Sequence, residues 1–424
     1  MAARGLKTRA TVSLHTLRPS ALPGHQVIIA YNFSSGSGRS TPAQEAMEPL
    51  MHNEPIWNDG TIPTFPALND EIAVDVCVIG LGGSGLSCIY ELLTLGVRVA
   101  GIDASTVGGG AAGRNGGFLL AGLAAFYHNA VAKLGRERVA AIYRLTISEI
   151  ERMAALMPTI VRQVGSLRIA ASPEELADCT AQMTAMRADD LPVEAYRGPE
   201  GEGLLIPTDG AFQPLHRCIW LARQVERGGA LLFTHTPALD ISGTTVHCSQ
   251  GTIHARQVIV AVDGGLERLL PELRATVRTT RLQMLATAPD PHCTIPRPVY
   301  TRWGYDYWQQ LPDGRIALGG CRDRFAESEW DAPPQPSPAV QSALEQILRE
   351  RIGSQAAIER RWAAQVAYRR DSILPIARQV RPGVWAIGAY NGTGNVIGAI
   401  CGRAVAHAAI RGQTQLLDLL GMDG

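Results

Sequence analysis

The sequence is short of several things. No cysteine pair has CxxC spacing, and several of the eight cysteines (Cys77, Cys88, Cys179, Cys218, Cys248, Cys293, Cys321, Cys401) sit inside apolar runs. That pattern excludes a zinc ribbon or a thioredoxin-type motif and reads as reduced, structural thiols. Net charge is also lacking: 39 basic residues balance 39 acidic ones. No global field therefore draws the chain to nucleic acid or an anionic membrane. No apolar run approaches the roughly 18 to 20 residues of a membrane helix. Acids are absent from residues 1–44, which instead carry Arg4, Lys7, Arg9, Arg18, Arg39 and many hydroxyl residues. Residues 1–54 read as a disordered tail or a start placed upstream of Met47 or Met51, with an organellar transit peptide as the other reading. The expected compartment is the cytoplasm.

What is present is a globular balance, 46% hydrophobic and 18% charged, over 424 residues. That is length for two or three domains and a large core. "VDVCVIG" (Val74 to Gly80) is a nearly continuous apolar run, as a parallel strand covered on both faces would be. Gly80, Gly82 and Gly85 complete G-x-G-x-x-G, with Gly83 and Ser84 between them. The first glycine permits the turn, the second a close approach of backbone to a pyrophosphate, and the third tight helix–strand packing. A helix follows to Gly96, then a second strand ending at Asp103, 23 residues after Gly80. An acid at that spacing suits the adenosine ribose. Strand, glycines, helix, strand and acid in one unit predict a dinucleotide-binding fold.

After Asp103 the chain enters "ASTVGGGAAGRNGG", with six glycines between Gly108 and Gly117. Each interior glycine costs about 1 kcal/mol in a helix relative to alanine, so no crossover helix is expected there. A second close approach to a longer cofactor is the better reading.

"GIDASTVGGGAAGRNGGFLLAG" resembles the flavoprotein family of glycine and D-amino-acid oxidases, sarcosine oxidase-like enzymes and γ-glutamylputrescine oxidases. Asp103, Ala104, Gly108, Gly110, Ala111, Gly113, Arg114, Asn115, Gly116 and Gly117 fall on its pattern; Ala112 stands where the family often has Ser. Further on, "LLIPTDGAFQPLHRCIWLARQVERGGALLF" is similar to the family's Asp-Gly turn, Pro and helix. "QVIVAV" carries Ala261 near its end, but Asp263 after it departs from the usual residue, which puts a cofactor contact by its side chain in doubt. "VWAIGAYNGTGNVIGAICGRAVAHAAI" is similar to the closing strand–turn–helix, with Gly388, Asn391, Gly392, Thr393, Gly394 and Asn395 as cofactor candidates. Three separated glycine sites fit FAD better than NAD.

The resemblance implies an α/β Rossmann-like FAD-binding domain assembled from residues 55–125, 196–275 and 365–424. It implies a substrate domain, built on an antiparallel sheet, from 126–195 and 276–364. "RPVYTRWGYDYWQQLPDGRIALGGCRD" reads as an aromatic hairpin, whose tyrosines would line the substrate pocket. Arg322 and, second, Arg302 are candidate carboxylate clamps; Tyr305, Tyr307 and Tyr368 are candidate pocket residues, and His128 a lesser one. The Cys and His that anchor flavin covalently in some relatives have no counterpart in the matching stretches, so the FAD is expected to be non-covalent. The implied activity is oxidation of a primary or secondary amine, an amino acid or polyamine derivative, to an imine that water hydrolyses. Oxygen, a quinone or another protein would accept the electrons, with no nucleic acid and no transmembrane segment involved. The competing readings are a non-catalytic flavin binder and an NAD-dependent dehydrogenase.

Overall fold

The computed structural model describes residues 53–420; the expected tail lies outside the described residues except for its last two. There the expectation fails. Asn53 bridges to Arg361, and its side-chain carbonyl accepts from the Ala363 N–H at 2.8 Å. Trp57 is buried edge-on against Trp362, which fixes the chain's entry into the fold.

Two eight-stranded sheets organise the rest. In the first, Glu71–Ile79 lies between Thr252–Val260 and Val99–Ile102, parallel to both, and Leu231–Phe233 extends it beyond Val99–Ile102. Val76, Cys77 and Val78 are fully buried, which is why the strand reads as unbroken apolar sequence rather than an alternation. The second half of Thr252–Val260 pairs in parallel with Val384–Gly388 from the far end of the chain. The glycine-rich turn therefore leads from the parallel middle of a mixed sheet into the Gly83–Thr94 helix. A Cβ on Gly85 would stand 1.9 Å from the Gly80 carbonyl oxygen, and Gly80 itself has φ +110°. The helix Gly394–Arg411 packs on Gly83–Thr94 through Gly398 and Gly402, where a Cβ would lie 2.3 Å from Ser84 Oγ and 2.6 Å from Ser84 O. Small residues in the Gly394–Arg411 helix thus let two glycine sites meet.

The second sheet runs, in spatial order, Ile358–Arg369, Val277–Thr287, Ile316–Gly320, Asp306–Gln310, Val299–Thr301, Ser166–Ile169, Gly201–Ile206 and Glu194–Gly198. All neighbours are antiparallel except Val299–Thr301 with Ser166–Ile169. The expected limits 195/196 and 364/365 fall inside Glu194–Gly198 and Ile358–Arg369, so the strands carry both past those points. Limits after Ile206 and Arg369 are the division we propose.

The expected hairpin forms, closed by Leu311 and Gly314, but its aromatic strand is broken at Arg302–Gly304. Arg302 and Trp303 both adopt left-handed φ, +53° and +55°. The cause is Glu175, whose carboxylate accepts from the Arg302 N–H at 3.1 Å and the Trp303 N–H at 2.6 Å. Two charge-assisted bonds offset the strain of two non-glycine residues in that region.

Candidate functional site

A single cavity of about 790 Å³ runs from the glycine-rich turn to the face of the second sheet. Two helices aim their N-termini into it: Gly83 and Ser84 from one, Gly394 and Asn395 from the other. Neither has a side-chain cap or an acid in its first turn. First-turn N–H groups lack intrahelical partners and carry partial positive charge, so the pair forms an anion-binding end.

Gly80, Gly82, Gly83, Ser84, Asp103, Arg114, Asn115, Gly116, Ala261, Asn391, Gly392, Thr393, Gly394 and Asn395 line this cavity. Gly85, Ala104, Gly113, Gly117 and Gly388 do not. Four of these five stand behind the wall as packing points; a Cβ on Gly113, for example, would meet the Gly108 carbonyl oxygen at 2.3 Å.

Several lining side chains are already committed to one another. Asp103 accepts from the Leu81 N–H and the Ser105 N–H, both at 2.8 Å, which fixes its carboxylate at the strand's end. Asn115 and Asn395 exchange amide hydrogen bonds at 3.1 and 3.0 Å, and Asn395 also donates to the Phe118 carbonyl. The Arg114 guanidinium donates to the Ala363 carbonyl at 3.1 Å and to Asn53 O at 2.8 Å. It clasps the entering chain rather than standing free in the cavity.

Asp263, set aside on sequence, also lines the cavity. Its carboxylate accepts from the Ala389 N–H at 2.8 Å and the Ala367 N–H at 3.1 Å, tying the end of Thr252–Val260 to the end of Val384–Gly388 beside it and to Ile358–Arg369 of the second sheet. Burial pushes this carboxyl up to about 7. The side chain is a structural tie, and sequence gave no sign of that.

Arg217 is the cavity residue that sequence reading missed. It is 3% exposed, donates to Asn395 O at 2.8 Å, and leaves its buried Nε without a partner. A Cβ on Gly83 would lie 3.1 Å from its Nη1. Burial pulls the guanidinium below its usual range. The acid it feels, Glu149, is bound by Arg152 and Arg403. An arginine one turn before Leu221, on the apolar side of an amphipathic helix, was the available signal.

At the other end, Tyr305, Tyr307, Tyr368 and Arg322 line the cavity together, as does Tyr300. The Arg322 guanidinium lies over the Tyr368 ring at 4.4 Å and the Tyr305 ring at 5.1 Å. No carboxylate pairs with it among the described residues. Burial pushes the Tyr307 and Tyr368 hydroxyls above their usual range, so both remain O–H donors at neutral pH. Arg302 is different. It pairs with Asp306 at 2.9 Å and with Asp323, and lies off the cavity wall. Two acids neutralise it, so it is no clamp. His128 faces Asp178 at 3.4 Å, also away from the cavity.

A parallel dinucleotide-binding sheet whose cavity opens onto a second, tyrosine-bearing sheet defines a two-part cofactor-dependent redox protein. The family model for FAD dependent oxidoreductases matches residues 75–408, and the chain belongs to that family. Its cofactor is accordingly FAD, and the nicotinamide reading is set aside. "Probable oxidoreductase OrdL" of Rhizobium meliloti is 26% identical over 86% of this chain and 90% of its own length. Gamma-glutamylputrescine oxidoreductase of Escherichia coli is 23% identical over 84% of this chain and 87% of its own. Among solved structures, glycine oxidase from Geobacillus kaustophilus superposes with a TM-score of 0.69 at 19% identity, covering 83% of this chain and 99% of the other. That likeness establishes the fold. The uncapped helix ends, the glycine cradle and the orphaned Arg217 Nε fit a phosphate-bearing dinucleotide. No helix among the described residues is long and apolar enough to cross a membrane.

Proposed function

We propose that this protein oxidises the C–N bond of an amine bearing a carboxylate, an amino acid or a polyamine derivative, to an imine. The observation that carries this reading is Arg322, a guanidinium stacked on two tyrosine rings in the cofactor cavity with no acid partner. A planar fork so placed suits a carboxylate, and the aromatic faces restrict its orientation. Bound FAD would supply the hydride acceptor.

The chain's own residues position the reactants. Asp103 would hold the adenosine ribose, while the two helix N-termini and Arg217 would neutralise the phosphates. Tyr307 and Tyr368 would donate to the substrate carboxylate or fix its approach over the ring. Loss of hydride from carbon and a proton from nitrogen leaves the imine. Water adds to that carbon, and ammonia or an amine departs to leave a carbonyl. Among the described residues no Cys or His lines the cavity, which supports non-covalent FAD. The relatives that act on γ-glutamylputrescine and glycine support an amine substrate.

The test is anaerobic bleaching of the flavin by matched amines with and without a carboxylate, in the wild type and in Arg322→Met. Losing a charged bidentate contact, about 2 to 4 kcal/mol, should lower kcat/KM about 30- to 1,000-fold for the carboxylated amine alone. An equal loss on both amines sinks the clamp. Oxygen uptake during turnover separates an oxidase from an enzyme that passes electrons to a quinone or protein.

A further inference from the structure

Arg322 shares the cavity wall with Arg114, Arg168 and Arg217, and among the described residues none of the four makes an ion pair with an acid; Arg114 and Arg217 are taken up by carbonyls. Arg168 lies on Ser166–Ile169, in register with Tyr300; Tyr300 is in register with Tyr307, and Tyr307 with Gly319. Register partners on adjacent strands share a face, so these residues form one row across the sheet. Arg168, Tyr300 and Tyr307 all line the cavity, with the two tyrosine rings stacked at 5.8 Å. Glycine at 319 makes room for the Tyr307 ring: a Cβ there would lie 2.6 Å from it. Arg322 follows three residues later. Three strand spacings, about 14 Å, separate Arg168 from Gly319 at the other end of the row.

The Arg168 guanidinium rests over the Phe126 ring at 5.2 Å. Among the described residues its side chain makes no hydrogen bond and no ion pair. The acids nearby are committed elsewhere. Asp209 accepts from Ser166 Oγ at 2.6 Å and the Ala121 N–H at 2.8 Å, and burial pushes its carboxyl up to about 6. Glu175 is held by three backbone N–H groups, those of Ala171, Arg302 and Trp303. Beside Arg168, a recess of about 10 Å³ is lined by Tyr143, whose buried hydroxyl also has no partner. Room for about one water there would leave Arg168 and Tyr143 a shared polar bridge.

We infer that Arg168 is a second anion site, and that the substrate carries two anionic groups. Resting on the reading of Arg322 as clamp, one carboxylate sits beside the oxidised carbon. The other ends a chain that crosses the tyrosine row to Arg168. The class is an amino acid whose side chain or N-substituent terminates in a carboxylate. A neutral or cationic tail would leave a half-buried guanidinium desolvated and unpaired, which is costly.

The experiment titrates holoenzyme with butyrate and with glutarate, adipate and pimelate, following perturbation of the flavin absorbance. In the wild type the best dicarboxylate should bind about tenfold or more tighter than butyrate, as a second charge-assisted contact implies. Arg168→Met should erase that advantage while leaving the butyrate Kd unchanged, and Arg168→Lys should restore part of it. Dicarboxylates no tighter than butyrate in the wild type overturn the inference without any variant. So does an Arg168→Met loss shared equally by butyrate, which would mark a packing role. An Arg322→Met variant reads the other claim separately: an unmoved butyrate Kd rejects the clamp itself, whatever Arg168 does.

Discussion

The two ends of the cavity are built on opposite plans. At the cofactor end polar side chains satisfy one another: Asn115 with Asn395, Asp103 with backbone, Arg114 with carbonyls. Recognition there is left to backbone N–H groups, the shape of a glycine cradle and one buried side chain, Arg217. At the substrate end a few long side chains stand without acid partners among the described residues, Arg322 and Arg168 foremost. A rigid, self-satisfied cradle suits a cofactor that never changes. Unsatisfied side chains on a sheet face suit a ligand that must be chosen.

The sharpest way to break this contrast is at the cradle. Gly85→Val would drive a branched side chain into the Gly80 carbonyl, already 1.9 Å from a mere Cβ. Overpacking against fixed backbone should cost well over the usual 1 to 3 kcal/mol, so we expect little folded holoprotein by flavin absorbance and thermal melting. A smaller effect is expected at Arg217→Met. Removing a buried cation from the anion-binding end should weaken FAD about tenfold or more while leaving riboflavin binding to the apoprotein unchanged, both read by flavin fluorescence. Equal weakening of both would assign Arg217 to packing.

Arg302→Gln should do less, and elsewhere. It leaves Asp306, 2% exposed, short of its close partner, so melting should fall by a few degrees while KM for any substrate stays put. The smallest effect concerns pH. Asp263 has its carboxyl at about 7, above the 3.8 of an unfolded chain. A raised acid contributes stability that is complete below about 3.8 and lost as pH rises through about 7. Melting temperature should therefore decline between about pH 4 and pH 7 and level off above, and Asp263→Asn should flatten that slope. A slope unchanged in the variant would place the titration elsewhere, with Asp209, at about 6, the next group to replace.

How much of this was legible in the sequence follows the same division. The cradle was legible because its requirements are local: glycines at fixed offsets, an apolar strand before them and an acid after. The family match over residues 75–408 agrees with that reading. The substrate end was legible only in part. Arg322 and the tyrosines were named from a hairpin pattern, yet the same pattern put forward Arg302. Its neutralisation depends on Asp306 and Asp323 together, beside a strand break that Glu175 binds from a distant helix. Arg217 and Arg168 owe their place to contacts between segments far apart in the chain, and no spacing rule reaches that far. Asp263 looked like a flaw in a motif, whereas three strands converge on its carboxylate.

The amide exchange between Asn115 and Asn395 joins segments 280 residues apart. During synthesis the first half of the cradle leaves the ribosome long before the second exists. The cofactor site is therefore completed only when the Gly394–Arg411 helix has emerged, so flavin loading reports that both halves of the cradle have been made and have met.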